Sequence, residues 1–364
     1  MQMTVDNSTG SDNNNYVSVT TTQAAKAAFL DRGWLLAAAV EFYSQFAMIV
    51  FGVIGTAANA LVLYALVVHN ARDAKKRPVN WLIINQNLLD LFCCVLLVVT
   101  MSFRVSNFYL TGAFGFVFCS LILSANWVYC VLNASVINLM TITVERYLKV
   151  VYPFWSKKHL KDWVIKSAIV FSWIAGILSS GPMGFATSVV IDGACLGFYL
   201  FFESSEIKNG YGVWNFLTFS VIPLIVFVCC YGHMVMVMRR QMRVMAGHNV
   251  GGGMQAQSAS SQAQSKRIKW NIIKTMIIVS AFFSVCWFPS ALYLMVVDNV
   301  LKSSELMIGY IFLMTFPYVN ISVNPFIYAT KHDGVRRILA RMVNCRRSDE
   351  DASNATGTST NPSR

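Results

Sequence analysis

Asp90 is where the sequence most calls for a chemical explanation. With Asn85 and Asn87 it sits inside an apolar stretch running from Val79 to Phe103, and a carboxylate in hydrocarbon costs about 2.5–3.5 kcal/mol even on the most lenient insertion scale. Asn59, Ser135, Asn320 and Asn324 stand at comparable depths in other apolar stretches. Their oxygens are suited to holding a small cation or a water cluster against the carboxylate. The other reading is a hydrogen-bonded polar core that only packs helices together. Glu145-Arg146-Tyr147 sets a guanidinium beside an acid, where it can pair locally or reach a different partner. No His/Cys metal spacing, Gly-rich phosphate loop or nucleophile–base pair stands out, so no enzyme is expected.

These residues need helices that cross a bilayer to position them. Of 364 residues, 55% are hydrophobic and only 13% charged, and the mean hydropathy is +0.52, outside the range of soluble domains. That composition excludes disorder, and 21 Gly with 8 Pro excludes a collagen-like fibre. A span takes about 20 apolar residues, since a helix rises 1.5 Å per residue through roughly 30 Å of hydrocarbon. Seven stretches qualify: Val40–Val68, Val79–Phe103, Gly115–Val144, Trp163–Ala186, Tyr211–Met238, Ile272–Val297 and Leu306–Ala329. The predicted fold is all-α, an integral membrane bundle of seven transmembrane helices. Pro182, Pro223, Pro289, Pro317 and Pro325 lie inside these stretches, which lipid-embedded helices tolerate because neighbours re-satisfy the freed carbonyls.

Lys and Arg give the orientation. Arg72 to Arg77, Arg146 to Lys161, Arg239 to Lys269 and Lys331 to Arg347 carry most of them, on the segments after spans one, three, five and seven. The positive-inside rule then puts the N-terminus outside and the tail in the cytoplasm, in a multi-pass plasma-membrane protein. The formal charge of +12 faces anionic inner-leaflet lipid and needs no nucleic-acid partner. Residues 1–39 read as a flexible extracellular segment without a cleaved signal peptide, residues 40–330 as the seven-span body, and residues 331–364 as a tail. Gly, Ser, Gln and Ala between 246 and 265 predict a flexible cytoplasmic loop. Val335, Ile338, Leu339 and Met342 have helical spacing and predict a short helix on the inner membrane surface. Cys345 beyond it is a candidate for palmitate, and Asn7 starts the one sequon placed outside, a candidate for a glycan. Of nine Cys, only Cys119 and Cys195 fall at span ends on the oxidising side, which predicts a disulfide between them.

The order and depth of further motifs resemble those of the rhodopsin-like (class A) G-protein-coupled receptors, from about Val40 to Cys345. Asn59 resembles that family's span-one asparagine, Asp90 its span-two aspartate, Glu145-Arg146-Tyr147 its acidic-Arg-Tyr motif and Trp173 its span-four tryptophan. Pro223 with Tyr231 is similar to the span-five pair, Cys286-Trp287-Phe288-Pro289 to the span-six motif and Asn324 to Tyr328 to the span-seven motif. The resemblance implies a two-state receptor for an extracellular ligand, coupled to a heterotrimeric G protein, with arrestin, a receptor kinase and membrane lipid as further partners. It implies no cofactor beyond a sodium ion as an allosteric ligand, held by Asp90, Ser135, Asn320 and Asn324 beside Asn59. Val136, Pro223, Phe283, Trp287 and Pro289 would relay the change, Tyr231 and Tyr328 would rearrange around Arg146, and Phe154 would touch the G protein together with Glu145 and Tyr147. Two features depart from the pattern. The separation of Cys119 from Arg146 is two residues longer than usual, about half a helical revolution. Lys269 stands where some members carry an acid facing the span-three Arg, which implies raised basal activity.

Ligand class follows by exclusion. No Asp or Glu lies between Cys119 and Val144, so an amine lacks its usual counter-ion; outer span three offers Asn126 in one register and Val128 in the other. No Lys between Leu306 and Ala329 is present to form a retinal Schiff base. Asp192, Glu203 and Glu206 between spans four and five predict an acidic mouth for a basic peptide, with Trp287 at the pocket floor. A lipid or another small non-amine ligand is the alternative. A transporter or channel would also place polar groups at mid-membrane, but no internal repeat is evident.

Overall fold

The computed structural model describes the backbone of residues 12–72, 77–106, 108–197, 205–248, 256–296, 304–331 and 335–342. Among the described residues, seven helices are long and apolar enough to cross a membrane. Their spans are Ala38–Val68, Trp81–Val105, Gly112–Val151, Asp162–Thr187, Gly210–Val244, Ile273–Tyr293 and Ile311–Thr330, numbered one to seven below. A further short helix covers 335–342 and buries Val335 and Ile338 in the bundle core while Arg336 and Arg337 stay exposed, the half-apolar surface helix that the spacing predicts.

Two expectations need correction. Residues 12–39 are helical rather than irregular, because one helix runs from Asp12 to Arg72; its Ala-rich stretch from Ala24 to Ala39 favours extending span one outward. The segment expected as a loop over 246–265 is helical from Ala256, where the helix of span six begins. Ala and Gln in that segment propagate the helix more readily than Ser opposes it. Residues 249–255, which hold the Gly run, lie outside the described residues.

Lipid supplies no hydrophobic drive between helices, so close packing and hydrogen bonds must hold the bundle. Spans three and four meet at Gly176, where a Cβ would stand 2.6 Å from the Ala134 Cβ and from the Cys130 carbonyl oxygen. Only a residue without a side chain permits that approach. The opposite faces are apolar and exposed: Phe46, Val50, Val53 and Ile54 on span one, and Val170, Phe171, Ile174 and Leu178 on span four. In water such faces would drive aggregation, whereas acyl chains solvate them.

Span three is not one continuous α-helix. A π turn at Cys119–Leu123 follows a short helix, Ala125 takes a left-handed conformation (φ 60°), and the α-helix restarts at Asn126. A π turn holds one residue more than an α turn, so the part of span three before Asn126 is out of register with a continuous α-helix. Span two reaches into the break: Thr100 Oγ1 donates to Ile122 O (3.2 Å), which also accepts from Ala125 N (3.2 Å), and Arg104 Nε donates to Leu123 O (2.7 Å). A second π turn, Leu217–Val221, precedes Pro223 in span five, relieving the clash a ring makes with the preceding turn.

A two-stranded antiparallel hairpin, β1 (Val189–Ile191) and β2 (Ala194–Leu196), closes this end of the bundle. Asp192 (φ 50°) and Gly193 (φ 78°) form its turn, the paired positive φ values of a type I′ connection. The expected disulfide joins Cys119 to Cys195 and pins β2 to the interrupted part of span three. Leu110, Cys119 and Leu123 pack beneath it.

Candidate functional site

A buried polar assembly surrounds Asp90, which is fully shielded from solvent. Ser135 Oγ donates to Asp90 Oδ1 (3.0 Å), Gln86 Nε2 to the same oxygen (3.2 Å) and Asn324 Nδ2 to Oδ2 (2.9 Å). Gln86 Nε2 also donates to Ser135 Oγ. From there the chain of bonds continues outward. Asn138 Nδ2 donates to Gln86 Oε1 (2.8 Å), Asn85 Nδ2 to Asn138 Oδ1 (2.9 Å) and the Trp173 indole to Asn85 Oδ1 (3.0 Å). Spans two, three, four and seven are thereby tied through one network. Gln86 and Asn138 are members that sequence reasoning missed. Both were within reach of it, since Gln86 precedes Asp90 by one helical turn and Asn138 follows Ser135 by three residues, on the same helix faces.

Of the residues expected around a sodium ion, Asp90, Ser135 and Asn324 come together, while Asn59 and Asn320 do not bond to Asp90. Asn59 Nδ2 instead donates to Gly55 O (3.0 Å) and Ile321 O (3.1 Å), linking spans one and seven. Asn320 Oδ1 and Asn324 Oδ1 are buried without a partner. A cation bridging Asp90 and Ser135 finds the Gln86 amide nitrogen between those two oxygens, so the residues present do not fit an ion at that pair. Among the described residues no cluster of His, Cys, Asp or Glu could hold a metal.

A column of aromatic rings runs along spans five and six. Trp287 lies 5.6 Å from Phe283 with the rings tilted by 30°, Phe283 meets Phe227 edge-on at 6.0 Å, and Phe227 lies 6.2 Å from Tyr231. Val136 and Pro223 are buried in the same region, and Pro289 lies within the helix of span six. Tyr231 OH shares a hydrogen bond with Thr143 Oγ1 (2.9 Å) and accepts one from Ser280 (3.3 Å). Tyr328 OH is buried without a partner. At this end Arg146 Nε lies 3.4 Å from Glu145 Oε2, Lys149 also pairs with Glu145, and Tyr147 OH bonds His233 Nδ1 (3.1 Å). Arg146 is therefore held by its own helix. Phe154 is 90% exposed, on the short helix Pro153–His159 just beyond.

At the hairpin end lies a cavity of about 540 Å³ lined by Glu41, Arg104, Tyr109, Leu123, Asp192 and Cys195 among others. It mixes two acids, one guanidinium and aromatic walls. The pocket residues expected from outer span three do not line it. Asn126 turns to span four, where its Nδ2 donates to Gly181 O (3.0 Å), and Val128 is fully buried in the core. Both are displaced by the break above them, which resets the register that continuous-helix counting assumes. Trp287 is buried and also absent from the cavity lining. The side chains of Glu203, Glu206 and Lys269, and residues Asn7 and Cys345, lie outside the described residues.

The family model described as "7 transmembrane receptor (rhodopsin family)" matches residues 58–328 of the chain. Among solved structures, the crystal structure of squid rhodopsin resembles it with a TM-score of 0.68 at 16% sequence identity, over 89% of this chain and 93% of that one. At that identity the structural likeness is one of fold.

Proposed function

Since the chain belongs to the rhodopsin family of seven-transmembrane receptors, and is thus a multi-pass, G-protein-coupled receptor with an extracellular ligand, we propose that its ligand is a basic peptide. The observation that carries this is the cavity under the hairpin, where Glu41 and Asp192 offer carboxylates beside aromatic side chains. A peptide carrying Lys or Arg among aromatic or aliphatic residues complements such a lining, while an acyl chain would have to desolvate three charged groups. The hairpin end faces outside and the tail inside, in keeping with the one-sided Lys and Arg.

Ligand binding works only through unequal affinity for two states. In the active state span six swings about Pro289, the Phe283 and Trp287 rings shift against Phe227 and Val136, and Arg146 leaves Glu145 for the opened crevice. Tyr231 and the partnerless Tyr328 hydroxyl then regroup beside it. Exposed Phe154 and half-buried Tyr147 meet the G protein, and the same crevice serves arrestin and a receptor kinase. Cys345 takes palmitate and Asn7 a glycan.

The test is G-protein activation in cells expressing the full chain, screened with basic, acidic and neutral peptide libraries and with lipids. Basic peptides are expected to activate, and Arg146→Ala to abolish the response at equal surface expression. Asp192→Asn or Glu41→Gln should lower potency about tenfold, which corresponds to about 1.4 kcal/mol. Activation by lipid alone, or peptide potency indifferent to both acid substitutions, would overturn the ligand reading.

A further inference from the structure

The Asp90 junction contains amides whose orientations are fixed by groups that cannot change role. An indole N–H only donates, so Asn85 must turn its oxygen to Trp173 and its nitrogen to Asn138 Oδ1. The Leu82 carbonyl only accepts, so Asn138 Nδ2 faces it (3.1 Å) as well as Gln86 Oε1. Gln86 Nε2 is then left pointing at Asp90 Oδ1 and Ser135 Oγ. Flipping the Gln86 amide would set oxygen against carboxylate and nitrogen against nitrogen.

We infer that the Gln86 side-chain amide is the resident occupant of this junction, standing where a sodium ion would bridge Asp90 and Ser135, so that the polar core closes without a metal ion. With Ser135 and Asn324 it gives the carboxylate three donors, against roughly four acceptor sites on an ionised carboxyl group. The buried, partnerless oxygens of Asn320 and Asn324 are the features most favourable to a cation. They carry no formal charge, and the only carboxylate on the network is already engaged. A tethered amide also has no binding entropy to lose and no dependence on ion concentration. The junction therefore stays linked to Asn138, Asn85 and Trp173 in any salt.

The experiment heats the purified full-length receptor in sodium chloride and in N-methylglucamine chloride of equal ionic strength. The wild-type midpoint is expected to be the same in both. Gln86→Glu keeps the shape and replaces the donor by a second carboxylate, and Gln86→Met removes the amide. Each is expected to gain a sodium-specific rise of about 2–4 °C, lost when Asp90→Asn is added. A wild-type midpoint that rises with sodium overturns the inference, as does the lack of any sodium response in folded Gln86 variants. If neither variant folds, sodium-23 line broadening on the wild type decides: broadening above a lipid-only blank overturns the inference, and its absence supports it. The readout uses no agonist, so it succeeds or fails independently of the peptide reading.

Discussion

Asn138→Leu tests whether the polar network holds the bundle together. The two side chains share one branched skeleton, so the substitution removes the hydrogen bonds while keeping the shape, and the larger Leu methyls add some overpacking. Three bonds disappear: from Asn85 Nδ2, to Gln86 Oε1 and to Leu82 O. At about 0.6 kcal/mol for an average interhelical bond in a membrane protein, that amounts to about 2 kcal/mol. Asn85 Nδ2 and Gln86 Oε1 are also left buried without partners, and at about 1–3 kcal/mol each they set a ceiling near 6 kcal/mol. The lower end is expected, because helices separated within the membrane find other partners for polar groups. A loss of about 2–3 kcal/mol lowers the thermal midpoint of a chain this long by about 3–4 °C. The assay is unfolding of the purified, ligand-free receptor, run as a double-mutant cycle with Asn85→Leu. Removing both partners should cost less than the sum of the single losses, by about 0.5–2 kcal/mol. A midpoint unchanged by Asn138→Leu, or strictly additive losses, would refute the network as a source of stability.

Gly176→Val places methyl groups where a single Cβ would already stand 2.6 Å from the Ala134 Cβ. Overpacking of this kind costs about 1–3 kcal/mol and should reduce the folded yield, read by size-exclusion fluorescence. Cys195→Ser frees the hairpin from span three, with an expected loss of about 2–5 kcal/mol and a fall in surface expression measured on intact cells. Arg104→Leu uncaps Leu123 O, so backbone amides from Ser124 to Asn126 should exchange hydrogen faster, while those around Asn138 stay protected.

Much of the bundle was legible in the sequence, since twenty apolar residues in a row leave the backbone no partner in lipid but itself. Seven spans follow from that, and a carboxylate at Asp90 inside one of them marks the polar core before any fold is known. The disulfide followed from which Cys fall at span ends. Helix continuation over 12–39 and from Ala256 onward did not, because polar Ser, Thr and Gln suggest a loop, although a long adjoining helix has already met the cost of nucleation.

Only the folded chain decided how the polar residues share their bonds. Sequence spacing put Asp90, Ser135 and Asn324 at one depth, but hydrogen bonds are directional, and which amide reaches which oxygen depends on helix rotation across several spans. Hence Gln86 came to Asp90 while Asn59 and Asn320 did not. Span three makes the same point, for counting assumes a constant turn, and the π turn with left-handed Ala125 moved Asn126 toward span four and set Arg104 over a broken helix. Hydropathy fixes the segments because it is summed residue by residue; the site is fixed by angles between helices, which no single segment contains.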